Sequence, residues 1–249
     1  MPLPSVLLLD LDDTILDDTG SRAACWAQTC AEAVRRRPEI DVDALQREID
    51  EVRVRFWSDP DRHRRWRIRL ADAFGEICVE ALANLGIDDR ELGMELGATH
   101  DRLRKESITP LEGAIETLEE LRRRGVVLGL ITNGSAEGQR AKIERFALAG
   151  HFDYIGIEGE VGHGKPQRLA YETALSALGV SASDCWMVGD NLEWDVAGAQ
   201  AVGIRGIWLD ASAEGLRSDA SVYPDSTIRS IAELVGGLVV DQEPVEKAE

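Results

Sequence analysis

Long apolar runs are missing from this sequence. No window approaches the ~20 residues that a membrane-spanning helix needs, although 44% of the 249 residues are hydrophobic. The opening stretch MPLPSVLLLDLDDT places no basic residues ahead of its short apolar segment, so no signal peptide is expected. Cysteine is scarce as well. Cys25, Cys30, Cys78 and Cys185 form no C-x-x-C pair, and Cys25 and Cys30, five apart on an expected helix, would not share a face. They imply neither a disulfide framework nor a metal cluster, and they read as small buried hydrophobes of a reduced, cytoplasmic protein. Positive charge is the third shortage: 28 Lys and Arg stand against 46 Asp and Glu, a net charge of -18. So acidic a chain is a poor partner for nucleic acid or anionic membrane, both of which call for a basic face. Its hydrophobic content still suffices for a packed core, so the charge does not imply disorder.

What is present is alternation. Short apolar runs at Val6–Leu9, Val126–Ile131, Tyr154–Ile157, Trp186–Val188 and Ile204–Leu209 read as buried strands. Helical patterns at Ala114–Arg124, Glu137–Ala147, Pro166–Leu178 and Asp195–Val202 lie between them, several closing at a glycine such as Gly125, Gly179 or Gly203. Strands alternating with helices predict an α/β fold with a parallel sheet flanked by helices. From 17 to 106 the alternation stops, and helices are expected near 21–36, 43–57, 62–85 and 89–105. The third is the clearest, with Trp66, Leu70, Phe74, Ile77, Ala81 and Leu85 at three- or four-residue steps. We read 17–106 as an all-helical insertion after the first strand, set into a core made of 1–16 and 107–249. The insertion holds 16 of the 28 basic residues and 20 of the 46 acidic ones, so the core and tail are the strongly acidic part. No internal repeat stands out. Residues 211–230 are small and polar without a clear element, and the tail after Val240, DQEPVEKAE, is expected to fray.

Four segments hold candidate chemistry. Asp10-Leu11-Asp12-Asp13-Thr14 follows the first strand, and in an open parallel sheet the carboxyl ends of strands face the ligand crevice. Two carboxylates in one turn repel by a few kcal/mol at about 4 Å and an effective dielectric near 20, so they call for a cation, a shared proton or open water. An Asp-rich turn capping a helix explains the segment equally well. Thr132-Asn133-Gly134-Ser135 ends the second core strand, where a small hydroxyl and free backbone N–H groups suit an anion; a capped turn without ligand is the simpler alternative. Gly162-His163-Gly164-Lys165-Pro166 carries one of only four lysines, with Pro166 expected at a first helical position. A lysine ammonium suits a phosphoryl oxygen, although an ordinary surface lysine is the bland reading, and His163 reads as a loop residue. Finally, Gly189-Asp190-Asn191-Leu192-Glu193-Trp194-Asp195 puts Asp190 at the same sheet edge as Asp10, while Asp195 suits either the site or a helix N-cap. Asp10 with Asp190 would make a hard oxygen site fit for Mg²⁺.

Taken in order, DLDDT, ITNGS, GKP and VGDNLEWD followed by AGAQAVGI resemble the haloacid dehalogenase-like hydrolase superfamily. The resemblance covers the whole core and implies a Rossmann-like sheet, while the insertion resembles that family's α-helical cap. It further implies that Asp10 is the nucleophile that forms an aspartyl-phosphate. Asp12 would be the acid and base, with its backbone carbonyl also a metal ligand. Asp190 would complete the Mg²⁺ ligands with Asp195 in support, and Thr132, Asn133 and Lys165 would hold the phosphoryl oxygens. The dehalogenase branch lacks the second acid, because a halide leaves without a proton. The presence of Asp12 therefore implies a phosphomonoesterase acting on a small phosphorylated metabolite, as a monomer or homodimer, with no nucleic-acid or membrane partner. Dehalogenation of a non-phosphate substrate, or a non-catalytic binding module of the same fold, are the alternatives.

Arg53, Arg55, Arg62, Arg64, Arg65, Arg67 and Arg69, interleaved with Phe56, Trp57, His63 and Trp66, are the remaining clue. A solvated face balanced by nearby acids, a grip on a second anionic group of the substrate, and nucleic-acid contact are the three readings.

Overall fold

A computed structural model describes residues 3–236, and the tail expected to fray after Val240 lies outside them. By its internal contacts the chain divides into two units. Among the described residues, those within Met1–Leu16, Pro110–Thr132 and Ala136–Glu249 form one, and Asp17–Thr109 with Asn133–Ser135 the other.

In the first unit the apolar runs become strands β1 (Val6–Leu9), β2 (Val127–Thr132), β3 (Tyr154–Ile157), β4 (Cys185–Gly189), β5 (Arg205–Leu209) and β6 (Ser226–Ile228). All neighbours pair in parallel, in the order β3-β2-β1-β4-β5-β6. This is the parallel sheet expected from the alternation, and it is Rossmann-like as the family resemblance implies. β1 lies inside it, with Leu9 in register with Leu130 of β2 and Val188 of β4. All four β1 residues are buried, as a parallel strand covered on both faces requires. Val6 and Leu8 join Cys185, Met187, Ala170, Tyr171 and Ala174 in one apolar cluster, and the pleat turns Leu7 and Leu9 to the opposite face. Each such leucine contributes roughly 1.5–3 kcal/mol of burial. Where the chain leaves this unit and returns, Leu111 N donates to Ile15 O at 2.9 Å.

Three details differ from the sequence reading. The sixth strand, Ser226–Ile228, falls in the stretch without a clear element; three residues with one exposed between two buried are too short to show a period. The helix expected from Pro166 begins at Arg168, so Pro166 precedes it rather than occupying its first turn. The helix expected at Asp195–Val202 is a wide π turn, Leu192–Ala197, running into the short helix Gly198–Gln200. Val196 N reaches back five residues to Asn191 O at 3.4 Å, and the Asn191 side chain caps the turn by accepting from Glu193 N (3.0 Å) and Trp194 N (2.9 Å). Asn191, not Asp195, is the cap.

The second unit consists of helices α1 (Arg22–Arg36), α2 (Val42–Ser58), α3 (Pro60–Trp66), α4 (Leu70–Asn84) and α5 (Arg90–Ser107). The single helix expected over 62–85 is broken at Arg67–Arg69. Asp59 caps α3 through Asp61 N and Arg62 N (2.9 and 3.0 Å), and α4 restarts after Arg69 N closes onto Trp66 O at 2.8 Å. The apolar steps continue across the break, so periodicity alone did not reveal it. α4 and α5 approach to backbone contact, since a Cβ at Gly97 would lie 2.2 Å from Gly75 N. Their core gathers Trp26, Ile49, Phe56, Phe74, Ile77 and Leu96 among others. Much of the arginine stretch is a salt-bridged surface: Arg55 and Arg62 face Glu80, Arg64 faces Asp61 and Arg69 faces Asp72. All four cysteines are buried with free thiols. Among the described residues no helix is long and apolar enough to cross a membrane.

Candidate active site

The order of the sheet reverses direction at β1, and in such sheets the ligand crevice opens outside the carboxyl ends of the strands at that point. Asp10 follows β1 directly, and its N–H donates to Val188 O at 3.0 Å, carrying the strand ladder one residue further. Asp190 follows Gly189, the last residue of β4, and its backbone carbonyl accepts from Trp208 Nε1 at 2.8 Å. Thr132 is the last residue of β2. Three strand tips thus deliver three of the expected residues.

Lys165 reaches them from its loop and is 1% exposed. Its Nζ lies 2.7 Å from Asp10 Oδ1 and 2.6 Å from Asp195 Oδ1. Asp195 Oδ2 accepts from Asn191 N at 3.0 Å. Both Asp195 oxygens are therefore engaged, and the residue orients Lys165 and the Asp190 loop. Gly189 makes this possible: a Cβ there would lie 2.2 Å from Asp195 Cγ.

Asp12 belongs to a neighbouring network. Its Oδ1 pairs with Lys142 Nζ at 2.7 Å, and its Oδ2 accepts from Gln139 Nε2 at 2.9 Å. Gln139 Nε2 also donates to Thr132 Oγ1 at 2.5 Å, so one amide ties the second carboxylate to the strand-end hydroxyl. Gln139 and Lys142 were missed in the sequence. They lie three apart on the helix Ala136–Arg145, hence on one face, and Lys142 is one of only four lysines. That scarcity was the available signal. Asn133 follows Thr132 but groups with the helical unit. His163 is a loop residue, its Nε2 3.1 Å from Thr173 Oγ1.

The electrostatics of the first cluster are unbalanced. Oxygens of Asp10, Asp190 and Asp195 lie within 4.8 Å of one another, with Lys165 as the cation between two of them. Burial pushes Asp10 up to about 7, against the pull of Lys165 and helped by Asp195 and Asp12. Burial also pushes Asp190 up to about 8, with Asp10, Asp195 and Asp13 adding to the rise. Burial opposes the charge on Lys165, yet Asp10 and Asp195 hold it above its ordinary value. Fully ionised, three carboxylates against one ammonium would leave two negative charges in a desolvated site, which the raised values of Asp10 and Asp190 resist and a divalent cation would balance. Asp10 and Asp190 supply hard oxygens at neighbouring strand tips. The donor set fits Mg²⁺, which takes one or two carboxylates and keeps several waters or substrate oxygens.

A protein-family profile described as hydrolase, haloacid dehalogenase-like hydrolase, matches residues 4–203. The chain belongs to the haloacid dehalogenase-like hydrolase family. A phosphoserine phosphatase of Thermus thermophilus is 34% identical over 259 aligned positions, covering 92% of this chain and 97% of that relative. A glyceraldehyde 3-phosphate phosphatase of Pyrococcus furiosus is 26% identical, over 92% of this chain and 91% of its own. Among solved structures, the putative HAD-hydrolase YfnB from Bacillus subtilis bound to magnesium superposes with a TM-score of 0.72 at 20% identity, covering 94% of this chain and 98% of that one. That likeness shows the fold of a haloacid dehalogenase-like hydrolase, with the strand-tip cluster at the place where such sheets hold ligands.

Proposed function

We propose that this protein hydrolyses a small-molecule phosphate monoester through an aspartyl-phosphate on Asp10. The observation that carries the reading is the pair of differently held carboxylates. Asp10 is buried against Lys165, while Asp12, two residues on, is braced by Lys142 and Gln139. Two carboxylates in distinct surroundings can take distinct roles, one as nucleophile and one as acid and base. The phosphatase relatives support the same reaction class.

In this mechanism Thr132, Asn133 and Lys165 bind the phosphoryl oxygens. An Asp10 oxygen forms a bond to phosphorus as the ester oxygen departs, taking a proton from Asp12. Asp12, now a carboxylate, removes a proton from water, whose oxygen attacks the same phosphorus and releases phosphate with Asp10 regenerated. Mg²⁺, held by Asp10, Asp190 and the Asp12 backbone carbonyl, would neutralise the negative charge of the phosphoryl group so that a carboxylate can approach it. Asp195 keeps Lys165 in place throughout.

Asp12 also weighs against halide release, which needs no proton donor. The test assays phosphate release from a panel of phosphate esters and halide release from 2-haloacids side by side, with and without EDTA. Phosphate release that EDTA abolishes is expected. Halide release alone would overturn the reading, and no turnover of either class would favour a binding module.

A further inference from the structure

We propose that the helical unit contains a binding site for a small organic anion carrying a hydrogen-bond donor, such as a hydroxy or amino acid. The site is a cavity of about 340 Å³ wholly within that unit, at the small end of the range for ligand pockets. Side chains from all five helices line it. Arg22, Arg53, Arg67 and Arg104 supply the positive charge, and Asp18 is the acid among them. Asp18 is committed to Arg104, at 2.5 and 2.7 Å, and Arg53 pairs with Asp50 at 3.0 Å. Arg22 makes no ion pair among the described residues, so a guanidinium remains for an acid group of a ligand.

The second observation is independent of charge. Among the described residues, five buried polar side-chain atoms lack a hydrogen-bond partner, and four of them belong to this one lining: Trp26 Nε1, Arg53 Nε, His100 Nδ1 and Arg104 Nε. Native proteins seldom leave such atoms unmatched, and a concentration of them at one cavity points to a partner that arrives from outside. Trp26 and His100 are 2% and 1% exposed, and their rings stack at 3.5 Å between centroids, with Phe74 edge-on to both. The imidazole bonds to the backbone of Cys25, which leaves Nδ1 as the open position. Burial first, and then Arg104, push His100 down to about 3, so the ring is neutral. Assigning its proton to Nε2, on the side of the Cys25 backbone, leaves a lone pair on the unpartnered Nδ1 that needs a donor. The ligand that satisfies the lining therefore brings an acid group for the arginines and Trp26, and a hydroxyl or ammonium for His100. This goes beyond the phosphatase reading, because binding here does not require turnover.

Tryptophan fluorescence tests it directly, since Trp26 and Trp57 lie in the lining. The full-length Asp10→Asn variant is titrated with D-glycerate, glycolate and L-serine, alongside acetate, which has no donor, and glycerol, which has no acid. At least one hydroxy or amino acid is expected to change the emission saturably, and to bind about tenfold or more tightly than acetate or glycerol. Trp26→Phe, which removes the orphaned N–H together with one ring of the indole, and Arg53→Met should each weaken that binding severalfold, read from the remaining Trp57 in the first variant, while the circular dichroism stays unchanged. Inhibition of the active enzyme then separates two sources of the same chemistry. A competitive pattern marks the acid as the non-phosphate part of the substrate, and a non-competitive one marks a separate effector. No saturable response to any of the acids, equal binding of acetate, or binding unaltered in both variants would overturn the proposal.

Discussion

Replacing Gly189 by alanine adds one methyl group where the structure has no room for it. The new Cβ would lie 2.2 Å from both Cγ and Oδ2 of Asp195, a side chain that is itself fully buried. Strand β4 is paired on both edges, to β1 and β5, so the backbone cannot yield easily and the carboxylate has to move. Overpacking of a filled interior costs ~1–3 kcal/mol. Displacing Asp195 also weakens its bonds to Lys165 Nζ and Asn191 N, and a hydrogen bond to a buried charged group is worth ~1.5–3 kcal/mol. The sum, about 3–5 kcal/mol, lowers Tm by roughly 10 °C at ~2–4 °C per kcal/mol for a chain of this size. The same shift moves Lys165 off Asp10, and misplacement of a catalytic group by about 1 Å costs ~10²-fold in turnover. Gly150→Ala is the matched control, since nothing lies within 4 Å of a Cβ there. Differential scanning calorimetry and phosphate release on both variants decide the matter. A Gly189→Ala protein that melts with the parent and turns over at the parental rate would refute the argument that Asp195 is wedged in place.

Further outcomes follow from the same geometry. Asp10→Asn is expected to abolish phosphate release while leaving the circular dichroism spectrum unchanged; measurable parental turnover would remove Asp10 as nucleophile. Lys142→Met leaves Asp12 Oδ1 without its cation, so kcat should fall ~10–100-fold with little change in KM, part of the ~10²–10⁴ that positioned acid–base groups contribute; an unchanged kcat and pH profile would make the pair merely structural. In EDTA, stability should decline as pH rises from about 4 to 8. Folded Asp10 and Asp190 keep protons up to about 7 and 8 that the unfolded chain has lost above its ordinary value near 3.8, so their contribution is full below that value and lost through the folded values. Mg²⁺ should restore Tm at pH 8 and change it little at pH 5, and a thermal melt series with and without the ion reads the difference.

Most of the sheet was legible because a buried parallel strand is written as a contiguous apolar run. Tyr154–Ile157 and Val6–Leu9 were found to the residue, whereas Ser226–Ile228 carries only two buried side chains and left no run to read. The strand-tip residues Asp10, Thr132 and Asp190 were legible for a related reason, since each directly follows or ends a run and its direction is fixed by the strand. Gln139 and Lys142 were not, because their partner Asp12 lies more than 120 residues away and a helix position does not reveal which way it faces in space. The break at Arg67–Arg69 escaped notice because its apolar spacing is that of an unbroken helix. The cavity in the helical unit escaped notice because it joins Arg22 to Arg104 across four helix boundaries.

The hydrogen bond from Leu111 N to Ile15 O closes the core on itself at the point where the helical unit begins and ends. To the sheet, Asp17–Thr109 is a loop whose two ends are already fastened together. The entropy of closing such a loop grows only with the logarithm of its length, about 0.6 kcal/mol for each doubling. Lengthening, shortening or exchanging the segment therefore costs the sheet almost nothing, and the strand tips keep their register whatever is spliced between those two residues. A scaffold of that kind can acquire new ligand preferences by trading its insert while its reaction chemistry stays where it is.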